Sequence, residues 1–119
     1  MKSLLIVDDQ TGIRLLLDEV FRREGFVTRL AANGVEAIQA VEDEIPGCIL
    51  LDMKMPGIDG IEVLKRIKKS WPEIPVMMMT AYGELELTDD ALQIGALKYF
   101  TKPFDIYEVR DAVNALFEN

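Results

Sequence analysis

Residues 48–60 read CILLDMKMPGIDG. Four apolar side chains, Cys48 to Leu51, run into a carboxylate, Asp52, then a short loop, then Asp59–Gly60 ahead of an amphipathic stretch. An apolar run without polar alternation suits a strand covered on both faces, as in a parallel sheet. Asp59 followed three residues later by Glu62 is a helix-start signature, because the first side chain can accept from a free backbone N–H and the second can reach back. The segment therefore predicts a strand, a loop and a helix over Gly60–Ser70, with an acid placed where the strand ends.

Working outward, the same unit recurs. Apolar runs at Leu4–Val7, Val27–Ala31, Pro75–Met79 and Lys98–Thr101 alternate with helical patterns at Thr11–Glu24, Gly34–Asp43, Leu87–Ile94 and Ile106–Phe117. Asn33 with Glu36 and Asp105 with Glu108 repeat the capping pattern, while Gly25, Pro46–Gly47, Pro72 and Gly95 punctuate the helix exits. Strict alternation with short connections predicts an open (βα)5, doubly wound α/β fold with helices on both faces of one parallel sheet. No repeat or linker interrupts it, and residues 1–119 are expected to form one domain with no output domain.

Composition narrows the chemistry. The chain contains no histidine and one cysteine, Cys48. That removes imidazole catalysis, His–zinc sites, internal disulfides and cysteine clusters together. A net charge of −8 argues against a nucleic-acid partner, whose phosphates demand a basic footprint. The basic run Lys65–Lys69 is read as a solvated helix face. Leu4–Val7 is too short for the apolar region of a signal peptide and ends in two aspartates. No stretch approaches the roughly 20 apolar residues of a membrane span. A cytoplasmic protein without membrane contact is expected.

In doubly wound sheets ligands bind beyond the carboxyl ends of the strands. Asp8, Asp9, Asp52, Thr80 and Lys102 all fall at those ends. Singly each is ordinary: Asp8–Asp9 could cap a helix, and Asp52 could begin a turn. Together they are hard to explain as capping. Three carboxylates about 5 Å apart repel by on the order of 10 kcal/mol in all, at an effective dielectric near 20. Either their pKa values rise or a cation binds. An all-oxygen ligand set selects a hard divalent ion, Mg²⁺ or its substitute Mn²⁺. Lys102 and Thr80 then suit the oxygens of a phosphoryl group, and Asp52 is the candidate nucleophile, forming an acyl phosphate. Met77, Met78 and Met79 invite a copper site, but successive strand residues face opposite ways, so they are assigned to the core. Cys48 is assigned there too.

LLIVDD (4–9), LLDMKMPGIDG (50–60), MMTAYG (78–83) and FTKPF (100–104) are the segments on which the chain resembles the receivers of bacterial two-component response regulators, over its whole length. The resemblance implies a flavodoxin-like strand order 2-1-3-4-5 and phosphorylation of Asp52. It also implies an Mg²⁺ site of Asp8, Asp9, Asp52 and the Lys54 carbonyl, switch residues Thr80 and Tyr99, and a cis peptide between Lys102 and Pro103. Residues 8–21, 31–37, 79–86 and 102–113 look like a narrower group, the stand-alone receivers of sporulation phosphorelays. Members of that group take a phosphoryl group from a sensor histidine kinase and pass it to a histidine phosphotransferase; they often carry histidine where Tyr99 stands. By the family pattern Lys54 and Tyr82 flank the path of an attacking water and tune the phosphoryl lifetime. Such a protein is a phosphoacceptor with at most slow Mg²⁺-dependent self-dephosphorylation, not an enzyme, and a monomer is expected.

The first helix adds a surface. At 100° per residue Ile13, Leu16, Leu17, Val20 and Phe21 form one stripe. Leu17, Val20 and Phe21 are assigned to the core. Gln10, Ile13 and Leu16, with Tyr82, Pro103 and Phe104, are expected to ring the acidic pocket and dock a partner's helices. Two other functions compete. A phosphatase of the haloacid-dehalogenase type would want an acid where Lys54 stands. A receiver that binds a target directly when phosphorylated, as a chemotaxis-type switch, differs from a relay only by the narrower resemblance.

Overall fold

In the computed structural model of the protein, residues 2–81 and 85–118 are described. Strands β1 (Ser3–Val7), β2 (Val27–Ala31), β3 (Cys48–Asp52), β4 (Val76–Thr80) and β5 (Lys98–Thr101) alternate with helices α1 (Thr11–Arg23), α2 (Gly34–Asp43), α3 (Gly60–Ser70), α4 (Leu85–Ile94) and α5 (Ile106–Ala115). All pairings are parallel, and the order across the sheet is β2-β1-β3-β4-β5, as the resemblance implies. The order reverses between β1 and β3, which opens a crevice at their carboxyl ends.

The unalternating apolar runs have a direct physical cause. Leu4, Ile6, Cys48, Leu50, Met77 and Met79 point to one face, against Leu17 and Phe21 of α1 and Val109 and Val113 of α5. Leu5, Val7, Ile49, Leu51, Val76 and Met78 point to the other, against α2 and α3 through Ala37, Val41, Val63, Leu64 and Ile67 and against Ala91 of α4. Both faces are dry, so both parities of each central strand are apolar. The three methionines are core on alternate faces, as expected. Cys48 is buried there, and burial pushes its thiol up to about 12, which leaves it protonated and inert.

Element ends depart from expectation by a few residues. β4 starts at Val76, because Pro75 has no N–H and joins the ladder only by its carbonyl, which accepts from Ile49 N–H at 3.0 Å. Asp52 and Thr80 lie inside the ladder, paired with Met79 and Thr101, instead of just beyond it. Val20 is only partly buried, unlike Leu17 and Phe21. Asn33 and Asp59 cap their helices by accepting from the N–H of Glu36 and Glu62. The other capping bonds differ: Glu36 reaches past the cap to Ala32 N–H, Glu62 pairs with Arg66, and the Asp105 carboxylate accepts from Tyr107 N–H while Glu108 N–H donates to the Asp105 carbonyl.

One glycine ties the fold to the crevice. The N–H of Gly60 donates to Met53 O at 2.8 Å, drawing the start of α3 against the end of β3. A Cβ at this position would collide with the carbonyl of Asp52 and lie 2.8 Å from Met53 Cα. Both obstacles are backbone and neither can rotate away. Gly60→Ala is expected to cost about 1–3 kcal/mol, the usual penalty of overpacking, read as a lowered urea midpoint with unchanged slope.

Candidate functional site

Each strand entering the crevice delivers its polar group for a local reason. β1 runs into Asp8, whose N–H still donates to Ala31 O at 3.1 Å, so its backbone is an extension of the ladder. Its Oδ1 accepts from Gln10 N–H at 2.8 Å, turning the chain toward α1. Asp9, between them, is exposed. β3 ends in Asp52, whose neighbour Met53 donates to Met79 O at 2.8 Å and keeps the strand straight to its last residue. The carboxylates of Asp8, Asp9 and Asp52 each bring one oxygen to within 4.8 Å of the others.

Lys102 reaches into this cluster from beyond β5. Its ammonium lies 2.9 Å from Asp8 Oδ2, 3.3 Å from Asp52 Oδ1 and 3.4 Å from Gln10 Oε1. The Lys102 N–H donates to Thr80 O at 2.6 Å, so the residue is anchored by its backbone to the end of β4. The Lys102–Pro103 peptide is cis, as implied by the resemblance. Thr80 is buried.

The electrostatics follow from burial and crowding. Burial raises the pKa of Asp52, the charge of Asp8 raises it further, and Lys102 only partly offsets both; the result is about 7 against an ordinary 3.8. For Lys102, burial alone would lower the pKa. The hydrogen bonds and charges of Asp8 and Asp52 outweigh it and hold the ammonium above its usual range. The cluster thus carries more negative charge than one lysine neutralises, and its donors are all oxygen. That set fits a hard divalent cation. The ammonium of Lys102 stands between two of the three carboxylates, where such a cation would be attracted.

The expected residues divide into four groups. Asp8, Asp9, Asp52 and Lys102 meet directly, with Gln10 at the rim. Lys54 is exposed and lines a cleft with Asp9, Met55, Pro56, Gly57 and Asp59, on the α3 side of the crevice. Tyr99, Pro103 and Phe104 line a separate groove with Leu92, Leu97 and Lys98, beside β5. On the other face of the sheet, Ile13 and Phe104 pack against one apolar cluster, and Leu16 is 48% exposed. Tyr82 lies outside the described residues. Reading by composition missed Gly60, because a helix-start glycine looks like punctuation until the backbone it abuts is known.

Residues 4–114 match the response regulator receiver domain family. The chain belongs to that family. It is 56% identical over 112 residues to the sporulation initiation phosphotransferase F of Bacillus subtilis, covering 94% of this receiver and 90% of that protein. It is 42% identical over 109 residues to the regulatory protein AtoC of Escherichia coli, covering 92% of this receiver but only 24% of that longer regulator. The receiver domain of NtrX from Brucella abortus superposes with a TM-score of 0.89 at 34% identity, over 98% of this chain and 99% of that one. Receivers are phosphoacceptors by family, and the acidic cluster is the part of this one suited to a metal ion.

The raised Asp52 pKa has a sign that can be checked. Its folded value lies above its unfolded value, so its contribution to stability is fully present below about pH 4 and is lost as pH rises through about 7. Asparagine at this position cannot ionise. In metal-free buffer the stability of Asp52→Asn relative to the parent should therefore rise between pH 4 and 8. The gain should be at most about 4 kcal/mol, roughly three pKa units at about 1.4 kcal/mol each, less what solvent screening removes. A pH-independent difference in urea midpoints would show that Asp52 titrates normally.

Proposed function

We propose that the protein is a stand-alone phosphorelay receiver. It takes a phosphoryl group on Asp52 from the phosphohistidine of a sensor kinase and yields it to a histidine phosphotransferase, in the control of sporulation. The observation that carries this reading is the acid–lysine cluster of Asp8, Asp9, Asp52 and Lys102 at the switch point of the sheet. The narrower assignment is supported by the 56% identity with the sporulation phosphotransferase, over nearly the full length of both chains. Its setting is the cytoplasm, as a monomer.

In the forward step an ionised Asp52 oxygen attacks phosphorus, an O–P bond forms, and the P–N bond to the donor imidazole breaks. The electron pair leaves on that nitrogen. Return transfer to a second histidine reverses these changes. Asp8, Asp9, Asp52 and the Lys54 carbonyl would hold Mg²⁺, with Mn²⁺ as substitute. The ion would supply positive charge to phosphoryl oxygens and allow Asp52 to ionise at neutral pH. The Lys102 ammonium is a mobile point charge, already within 3.3 Å of Asp52, that can turn to an incoming phosphoryl oxygen. Thr80 donates its hydroxyl to another oxygen. Tyr99, only partly buried, follows into the space that Thr80 leaves; this is a shift of a pre-existing equilibrium.

Lys54, two residues beyond Asp52, is a poor base on the water path, and the family pattern gives Tyr82 the same role, so the acyl phosphate turns over slowly. The partner's helices dock on Gln10, Ile13 and Leu16 together with Tyr82, Pro103 and Phe104. The 48% exposure of Leu16 on α1, the helix that follows Asp8 and Asp9, supports this face.

Incubation with a small-molecule phosphodonor and Mg²⁺ should add one phosphoryl group by intact mass. The adduct should be absent in Asp52→Asn or with EDTA, should persist for hours, and should be lost several-fold faster in Lys54→Asn. No adduct on the parent protein would end the receiver reading, whereas rapid loss would favour a directly binding switch. Ile13→Ala and Leu16→Ala should accept phosphoryl from the small donor at the parent rate. Each should nonetheless lower the rate of transfer with the kinase or phosphotransferase by tenfold or more, the loss of about 1.4 kcal/mol that separates an anchor from a bystander. Unchanged partner transfer would remove this face from the proposal.

A further inference from the structure

We propose that Arg14 is a positioning residue for Asp9. Its guanidinium holds the Asp8–Asp9 peptide so that the Asp9 carboxylate faces the cation site it shares with Asp8 and Asp52. The inference rests on the reading of that cluster as a cation site.

Arg14 stands in the first turn of α1, where a cation is unfavourable. The helix N-terminus carries partial positive charge, and α1 has neither an acidic residue in its first turn nor a side-chain cap from Gln10. Positions that break a local rule are where another function is to be sought. The side chain turns back across the helix start. Nη1 donates to the carbonyl oxygen of Asp8 at 2.6 Å, and Nη2 lies 3.4 Å from Thr11 Oγ1, which steadies the fork.

That carbonyl belongs to the peptide leading into Asp9. The next peptide is held as well, since Gln10 N–H donates to Asp8 Oδ1 at 2.8 Å. Asp9 is therefore clamped through the peptides on either side of it, although its own side chain is exposed. Asp8 supplies the fixed end: its N–H bonds Ala31 O and its Oδ2 bonds Lys102, so every polar group of the residue is engaged. Without Arg14 the Asp8–Asp9 peptide loses a charge-assisted partner and can rotate, and Asp9 loses its aim. Groups that orient metal ligands from outside the ligand shell typically change metal affinity by about 10–100-fold when removed.

The test is Mn²⁺ binding to the unphosphorylated protein, followed by the electron paramagnetic resonance of the free ion. The proteins compared are the parent, Arg14→Met, Asp9→Asn and the double variant. Arg14→Met should bind about tenfold more weakly than the parent, with a thermal midpoint in EDTA within a few degrees of it. In the Asp9→Asn background the same substitution should add little. Arg14→Lys, which offers one donor in place of a planar fork, should weaken binding by a smaller factor, and it serves if Arg14→Met does not fold. Parent-like affinity in both Arg14 variants would overturn the proposal. An equal loss with or without Asp9 would also overturn it, since a general charge effect would still be felt by Asp8 and Asp52. Failure of the parent itself to bind Mn²⁺ would overturn the cation site and this inference with it.

Discussion

Three carboxylates drawn to one edge of a parallel sheet repel one another, and the ammonium of Lys102 is the group that lets the fold close around them. It spans Asp8 and Asp52 at 2.9 and 3.3 Å, across nearly the whole length of the chain. Burial and the charge of Asp8 outweigh that attraction at Asp52, whose pKa is pushed up to about 7. A protein that needed only stability would have removed the charges. Here the unbalanced charge is what makes the crevice a place for a cation and a phosphoryl group.

That arrangement depends on a rigid sheet. β1 and β3 are apolar on both parities because helices cover both faces, and packing of this kind leaves little freedom for the strands to slide. Asp52 sits inside the ladder, opposite Met79, so its backbone is as fixed as that of the core. Gly60 and the cap at Asp59 then bring α3 against the strand end with no intervening side chain. Asp9 is the exception, an exposed acid on a loop, and it is held by its neighbours instead of by burial.

The residues farther from the acid–lysine cluster are placed differently. Thr80 is buried at the end of β4, and Tyr99 lies partly buried three residues before Lys102, on the side of the sheet covered by α2, α3 and α4. Ile13 and Phe104 lean on the opposite apolar cluster. Leu16 of α1 is an apolar side chain that stays 48% exposed.

Much of this was legible in the residues themselves. Apolar runs without alternation require cover on both faces, and repeated strand–helix units with short connections leave few topologies, so the (βα)5 class follows from period and spacing. The absence of histidine and the placing of acids and lysine at strand ends were enough to predict oxygen ligands and phosphoryl chemistry. Strand order came with the resemblance, because parallel units of equal length can be wound in more than one sequence. Only the tertiary structure decided the rest. It set which oxygen of Asp8 meets Lys102, why Gly60 can carry no side chain, where the reciprocal caps go, and that Arg14 turns back onto the Asp8 carbonyl. These are distances between backbones and side chains far apart in the chain or folded back on themselves. Periodicity reports which face a residue occupies, but it carries no information about what that face approaches.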